Sequence, residues 1–281
     1  MPPTLSFIGC GHLGRTLGRL WQNAGVFRIQ DIVTRSMGSA GAAAAYIGAG
    51  RALVDCSVLA PADVFLIATS DDAIPAACET LAASGVLQSG TTIFHCSGAL
   101  PSSALAAARH CGAKLASIHP IRSFASPDEV VAHFGGTWCG TEGDESALAL
   151  LEPAFAAIGA RTVRIDASAK TLYHAAAVFA ANYTTVLLGV AQDAYAAAGI
   201  PPDAALQLME PLVRAAIDNV FRLGPAHALS GPAARGDMAT VERQYAAVAA
   251  WRPACGDLYD QLATLASELA ARRNVSDRSK E

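Results

Sequence analysis

Near the start of the chain, TLSFIGCGHLG joins a short strand-like run to three glycines, Gly9, Gly11 and Gly14, in the spacing G-x-G-x-x-G. Few segments of this length narrow the possible folds as far. A glycine closing a strand allows a tight turn, a second lets an anionic group approach bare backbone, and a third lets the following helix pack closely on the strand. The unpaired N–H groups at that helix's start add a partial positive charge at the same place. The stretch therefore predicts a pyrophosphate-holding loop made of Gly9, Cys10, Gly11, His12, Leu13 and Gly14. Its plain alternative is a glycine-rich turn that holds nothing.

Up to about Asp166, short β-like runs alternate with alanine-rich helical runs: TLSFIG, FRIQDIV, DVFLIATS, TTIFHCSG, KLASIHP and RTVRID read as strands, and RALVD as a weaker one. That alternation predicts an α/β domain, a Rossmann-type mostly parallel sheet with helices on both faces. After Asp166 the strand signals stop and long helical runs follow. Residues 1–166 are accordingly expected to form a nucleotide-binding domain, and residues 167–281 an all-helical domain. The stretch from about Arg273 onward is polar and reads as a tail.

Composition removes several classes of function. The 281 residues are 52% hydrophobic and 16% charged, which supports a sizeable core and excludes wholesale disorder. A formal net charge of -4 argues against a nucleic-acid partner. No basic stretch precedes an apolar run at the N-terminus, and polar residues interrupt every apolar run long enough to span a bilayer, so a cytoplasmic protein without a membrane partner is expected. The seven cysteines include no C-x-x-C pair, so neither a disulfide framework nor a metal site is expected.

The tip of the second strand bears on the choice of dinucleotide. An acidic residue about 20 positions beyond the glycines would bind the ribose hydroxyls of NAD(H). Thr34, Arg35 and Ser36 stand there instead, and Asp31 falls inside the strand. An arginine beside hydroxyls suits a 2′-phosphate, so NADP(H) is preferred over NAD(H). A solvated loop charge is the alternative for Arg35.

Ligands of an open α/β sheet collect beyond the carboxyl ends of its strands. Thr69, Ser70, His95, Ser97 and His119 fall at such ends. Asp71 and Asp72 read as a helix cap and a first-turn acid. At 100° per residue, Lys170, Tyr173, His174, Ala177, Ala181 and Asn182 share an arc of about 120° on one helix face. Arg235, in LSGPAARGD, is placed either to grip a substrate carboxylate or to end a connector whose Asp237 caps the next helix.

Taken together, the opening motif, VTRS, ATSDDAI, FHCSGAL, HPIRSF, KTLYHAAAVFAANY and LSGPAARGD resemble the family of Rossmann-like proteins that carry the domain of unknown function numbered 2520. That family is related to pyrroline-5-carboxylate reductase, 6-phosphogluconate dehydrogenase and the beta-hydroxyacid dehydrogenases. The resemblance implies a nicotinamide dinucleotide in the first domain, with Thr69 and Ser70 beside the nicotinamide, and a homodimer formed through the helices. Lys170 and Asn182 resemble the catalytic pair of beta-hydroxyacid dehydrogenases, though more widely spaced, and His119-Pro120 is similar to a substrate-contacting stretch of prephenate dehydrogenases. The family resemblance favours the substrate-binding reading of Arg235. Gln244 stands where the family pattern has histidine.

Lys170, His119, His174 and Asn182 are thus the candidate catalytic residues, with His119 and Arg235 as substrate contacts. The expected activity is an NADP(H)-dependent oxidoreductase acting on a small carboxylated oxo, hydroxy or imine substrate. A non-catalytic NADP(H) or metabolite sensor and a deazaflavin-dependent reductase are the alternatives.

Overall fold

Eight strands pair into one sheet in the computed structural model, which describes residues 1–278. They are β1 (Thr4–Ile8), β2 (Arg28–Val33), β3 (Arg51–Leu53), β4 (Val64–Ile67), β5 (Thr92–His95), β6 (Lys114–Pro120), β7 (Trp138–Gly143) and β8 (Arg161–Arg164). Their order across the sheet is β3-β2-β1-β4-β5-β6-β7-β8, and every neighbouring pair is parallel except β6 and β7. The helices of this part are α1 (His12–Ala24), α2 (Met37–Ile47), α3 (Ile74–Ala83), α4 (Ala106–Arg109), α5 (Pro127–Ala132), α6 (Glu145–Ala156) and α7 (Lys170–Ala177).

Strands such as Val-Phe-Leu-Ile in β4 are apolar at every position because the sheet is covered on both faces. On one face Leu5, Phe7, Leu66 and Phe94 meet Trp21 and Phe155; on the other Ile8, Phe65, Ile67 and Ile93 meet Cys78 and Leu81. Trp21 ties α1 to α6, stacking edge-on against Phe155 and donating its indole N–H to the Ala154 carbonyl at 2.9 Å.

Strand β7 has no counterpart among the expected strands. Its sequence, WCGTEG, carries two glycines and a glutamate, all poor strand formers. It forms because it pairs with β6 on one side and β8 on the other, where the ladder outweighs local preference. The weak RALVD run does become β3, confined to Arg51–Leu53.

Two compact units emerge, residues Met1–Ala180 and a helical remainder from Ala181 onward. The division falls inside a continuous helix, after Lys170, Tyr173 and His174, rather than at Asp166. Residues 178–183 of that helix form a π segment, whose i→i+5 bonding breaks the 100° register on which the arc from Lys170 to Asn182 depends.

The second unit contains α8 (Thr184–Ala197), α9 (Pro202–Leu223), α10 (Pro225–Ala228), α11 (Pro232–Arg235), α12 (Met238–Trp251) and α13 (Pro253–Arg278). Helix α13 continues to Arg278 through most of the stretch expected as a tail; residues 279–281 lie outside the described residues. Apolar side chains remain uncovered on α9, with Leu212 62% and Phe221 86% exposed. The helix Ala167–Ala197 is, by length and composition, long and apolar enough to cross a membrane, contrary to the sequence expectation. Its first turn is nonetheless held inside the first unit by Lys170, a charged residue that is only 1% exposed.

Candidate active site

The glycine loop has the geometry that its spacing implies. Gly9 has φ +77°, and a Cβ there would stand 2.8 Å from Thr69 Cγ2 and 2.9 Å from the Thr69 nitrogen. At Gly14 a Cβ would meet Ala68 Cβ and Cys10 Sγ at 3.2 Å, while at Gly11 it would meet nothing within 4 Å. The loop is therefore closed against the protein at Gly9 and Gly14 and open at Gly11. Gly11 caps α1 without a side-chain bond, and the first turn holds no acidic residue. The helix's partial positive charge faces outward uncompensated.

A cavity of about 540 Å³ opens over this loop, lined by Gly9, Cys10, Gly11, Thr34, Arg35, Thr69 and Ser70 among the expected residues. Ile8, Arg15, Val33, Ser39, Val54, Ala68 and Ala73 complete the lining, and no carboxylate is among them. His12, Leu13, Gly14, Ser36, His95 and Ser97 do not line it. His12 instead bonds through Nδ1 to the Phe124 carbonyl at 3.1 Å. Ser36 is the N-cap of α2, its Oγ accepting from Ser39 N at 3.2 Å, so the hydroxyl that faces the cavity belongs to Ser39. Asp31 is buried and held by Arg51 through two bonds of 2.9 and 3.0 Å. The strand thus has an acid, but it is spent inside the sheet.

These features fit a nicotinamide dinucleotide. An open backbone loop at a helix start suits the pyrophosphate. Arg35 and a hydroxyl, with no acid beside them, would suit an additional phosphate.

His95 ends β5 as expected, but it does not line the cavity. It is fully buried, its Nδ1 accepts from Ser97 N at 3.1 Å, and its Nε2 donates to the Pro101 carbonyl at 3.1 Å. Those two bonds fix one neutral tautomer, and burial pushes the imidazole pKa down to about 4. It shapes the loop after β5. Asp71 likewise does not cap a helix by its side chain; it accepts the Ser97 hydroxyl at 2.7 Å. Ser97 Oγ in turn accepts from Ala99 N and Leu100 N.

Lys170 is held in a buried ion pair. Its Nζ reaches Ser117 Oγ and lies 3.2 Å from Glu142 Oε1, with lysine and glutamate both almost wholly out of water. Glu142 further accepts from Ser102 N and Ser102 Oγ, both at 2.7 Å. Burial lowers the lysine pKa while the carboxylate beside it works in the opposite direction. Ser117 and Glu142 are opposite one another in the β6–β7 ladder, so Lys170 grips both members of one rung.

One helical turn later, Tyr173 meets the next rung on that face, His119 opposite Gly140. Its hydroxyl is 3.1 Å from His119 Nδ1, and the close approach requires glycine at 140, where a Cβ would be 2.4 Å from the phenol oxygen. With the hydroxyl donating to Nδ1, neutral His119 carries its proton on Nε2. Burial holds His119 at about 4 and Tyr173 at about 12.

His119 Nε2 and His174 Nδ1 both converge on Gly98, where a Cβ would stand 2.8 and 2.4 Å from them. Their rings are 5.6 Å apart, edge to face. His174 Nδ1 is buried without a hydrogen-bond partner among the described residues. The structure thus gathers His119 and His174 with Tyr173, Gly98 and Gly140, and places Lys170 behind them. Asn182 and Arg235 are exposed residues of the second unit, and Asp237 caps α12 through Thr240 N at 3.2 Å. Ser117, Glu142 and Tyr173 escape a sequence search for strand-end residues: two lie within strands, and the third is marked only by its place on the helix face.

Residues 3–120 match a Rossmann-like domain, and residues 137–266 match a domain of unknown function, DUF2520. No curated protein matches the chain in sequence. Protein TM1727 of Thermotoga maritima is 26% identical with a TM-score of 0.77, over 96% of this chain and 100% of that one. BF3122 of Bacteroides fragilis, an inferred NADP oxidoreductase, is 22% identical with a TM-score of 0.75, over 95% and 98%. An imine reductase of Myxococcus stipitatus, solved with NADP+, is 16% identical with a TM-score of 0.67, over 96% and 95%. The last two share the fold.

Two outcomes follow from the buried groups. Lys170→Met strands the Glu142 carboxylate and is expected to cost about 3–5 kcal/mol in urea denaturation, at least half of it recovered in the double variant with Glu142→Gln. For His95, the unfolded chain binds the extra proton between about pH 6.5 and the folded pKa of about 4, so stability drops across that window on acidification, by an order of a few kcal/mol. Melting midpoints at pH 7 and 4.5 measure the drop, and the His95 ring resonances are expected to stay unshifted above about pH 5.5.

Proposed function

We propose, for a chain that joins a Rossmann-like domain to a DUF2520 domain, that it is an NADP(H)-dependent oxidoreductase acting on a small carboxylated oxo, hydroxy or imine compound. One observation carries the reading: the acid-free, arginine-lined cavity is lined by Thr69 and Ser70, and the next residue, Asp71, is bonded to Ser97, beside the Gly98 on which His119 and His174 converge. The NADP+ complex of the structurally similar imine reductase supports it.

The nicotinamide, when bound, supplies or accepts the hydride. The glycine loop holds the pyrophosphate through backbone amides, and Arg35 with Ser39 receives the 2′-phosphate. His119 presents its Nε2 proton to the substrate's oxygen or nitrogen. Because its pKa is held near 4, it works as a neutral donor that polarises the reacting bond, not as an imidazolium. Tyr173 keeps the proton on Nε2 by occupying Nδ1. Lys170 and Glu142 act as positioning residues by fixing the turn that carries Tyr173 and His174.

NADPH oxidation across a panel of oxo acids and cyclic imines tests the reading. Turnover with at least one of them is expected, with His119→Gln lowering kcat by about a hundredfold or more. Tight NADPH binding with no turnover anywhere in the panel would instead favour a sensor. A second copy of the chain is the proposed cover for the exposed apolar side chains of α9. Light scattering is expected to give twice the 28.8 kDa chain mass, and a monomer would refute that assembly.

A further inference from the structure

We infer that Arg15 is a specificity-determining residue of the cofactor cavity, receiving the 2′-phosphate together with Arg35 and Ser39. The inference rests on the NADP(H) reading and names a contact which that reading does not require. Arg15 follows Gly14 on the first turns of α1, whereas Arg35 and Ser39 belong to the β2–α2 connection and the start of α2; all three line the same cavity. The base of the Arg15 guanidinium is held at the glycine loop, Nε donating to the Cys10 carbonyl at 3.3 Å. Among the described residues neither Arg15 nor Arg35 pairs with a carboxylate.

Two cations facing one cavity without a counter-ion repel each other, an arrangement that an arriving dianion reverses. Ser39 is prepared in the same sense. Ser36 Oγ donates to Ser39 Oγ at 3.0 Å, so the Ser39 hydroxyl's own proton remains available to an anion. Asp31, the one acid on β2, is engaged by Arg51 and does not compete.

A purely structural Arg15 would pin the Cys10 carbonyl and support every dinucleotide equally. Titration calorimetry of the full chain separates the two roles, using NADPH and NADH, and 2′,5′-ADP and 5′-ADP as nicotinamide-free probes. Arg15→Ala is expected to weaken NADPH and 2′,5′-ADP by roughly tenfold to a hundredfold while moving NADH and 5′-ADP by less than about threefold. Arg15→Lys keeps the charge without the fork and is expected to fall between. Equal weakening of phosphorylated and unphosphorylated ligands, or no weakening, overturns the role of Arg15 and leaves the cavity assignment standing. A wild-type protein that binds 5′-ADP as tightly as 2′,5′-ADP overturns both. Melting midpoints check the fold of each variant, and Arg15→Gln replaces Arg15→Ala if the latter does not fold.

Discussion

A lysine and a glutamate removed from water are tolerable only as a pair, and the pairing of Lys170 with Glu142 sets the geometry of nearly everything near the strand ends. Glu142 spends its remaining acceptor capacity on Ser102, and Lys170 reaches Ser117, which lies beside His95. Three strands, the loop after β5 and the start of α7 are thereby fixed to one buried set of charges. A hydrophobic contact at the same place would hold the helix down but would not fix its rotation. Two charges with directional partners do both.

The direction of β7 matters as much as its composition. Strands β1 to β6 run toward the ligand edge, β7 runs away from it, and β8 is parallel to β7, so the chain leaves the sheet at the opposite edge. Helix α7 then travels back along the β6–β7 face. Its turns meet successive rungs, first Ser117 with Glu142, then His119 with Gly140. A side chain from the last part of the first unit thus arrives at a strand end formed much earlier in the chain.

The glycine loop, the parallel strands and the change to helices could be read from the sequence because each depends on local spacing and backbone requirements. Strand β7 could not, since its pairing is non-local and its residues favour other conformations. The same limit applies within the site. Placing His95 and His119 at strand ends was correct in position, but alternation along a strand does not say how deeply each ring is buried, and only His119 has its ring partly open. Lys170 has the residue type of a catalytic acid; its ion pair depends on Glu142, which is invisible until β7 is in place. Ser36 and Ser39 are three residues apart, and the capping geometry of α2 decides which of them turns to the cavity.

Gly98 gives the arrangement a point of fragility unlike the others. Its backbone has no need of a left-handed conformation. What it provides is an empty Cβ position shared by His119 and His174. A single methyl group there would push two rings apart at once while leaving the glycine loop untouched. A side chain at this one position would therefore disturb the paired histidines while sparing the glycine loop, because the two depend on different empty Cβ positions.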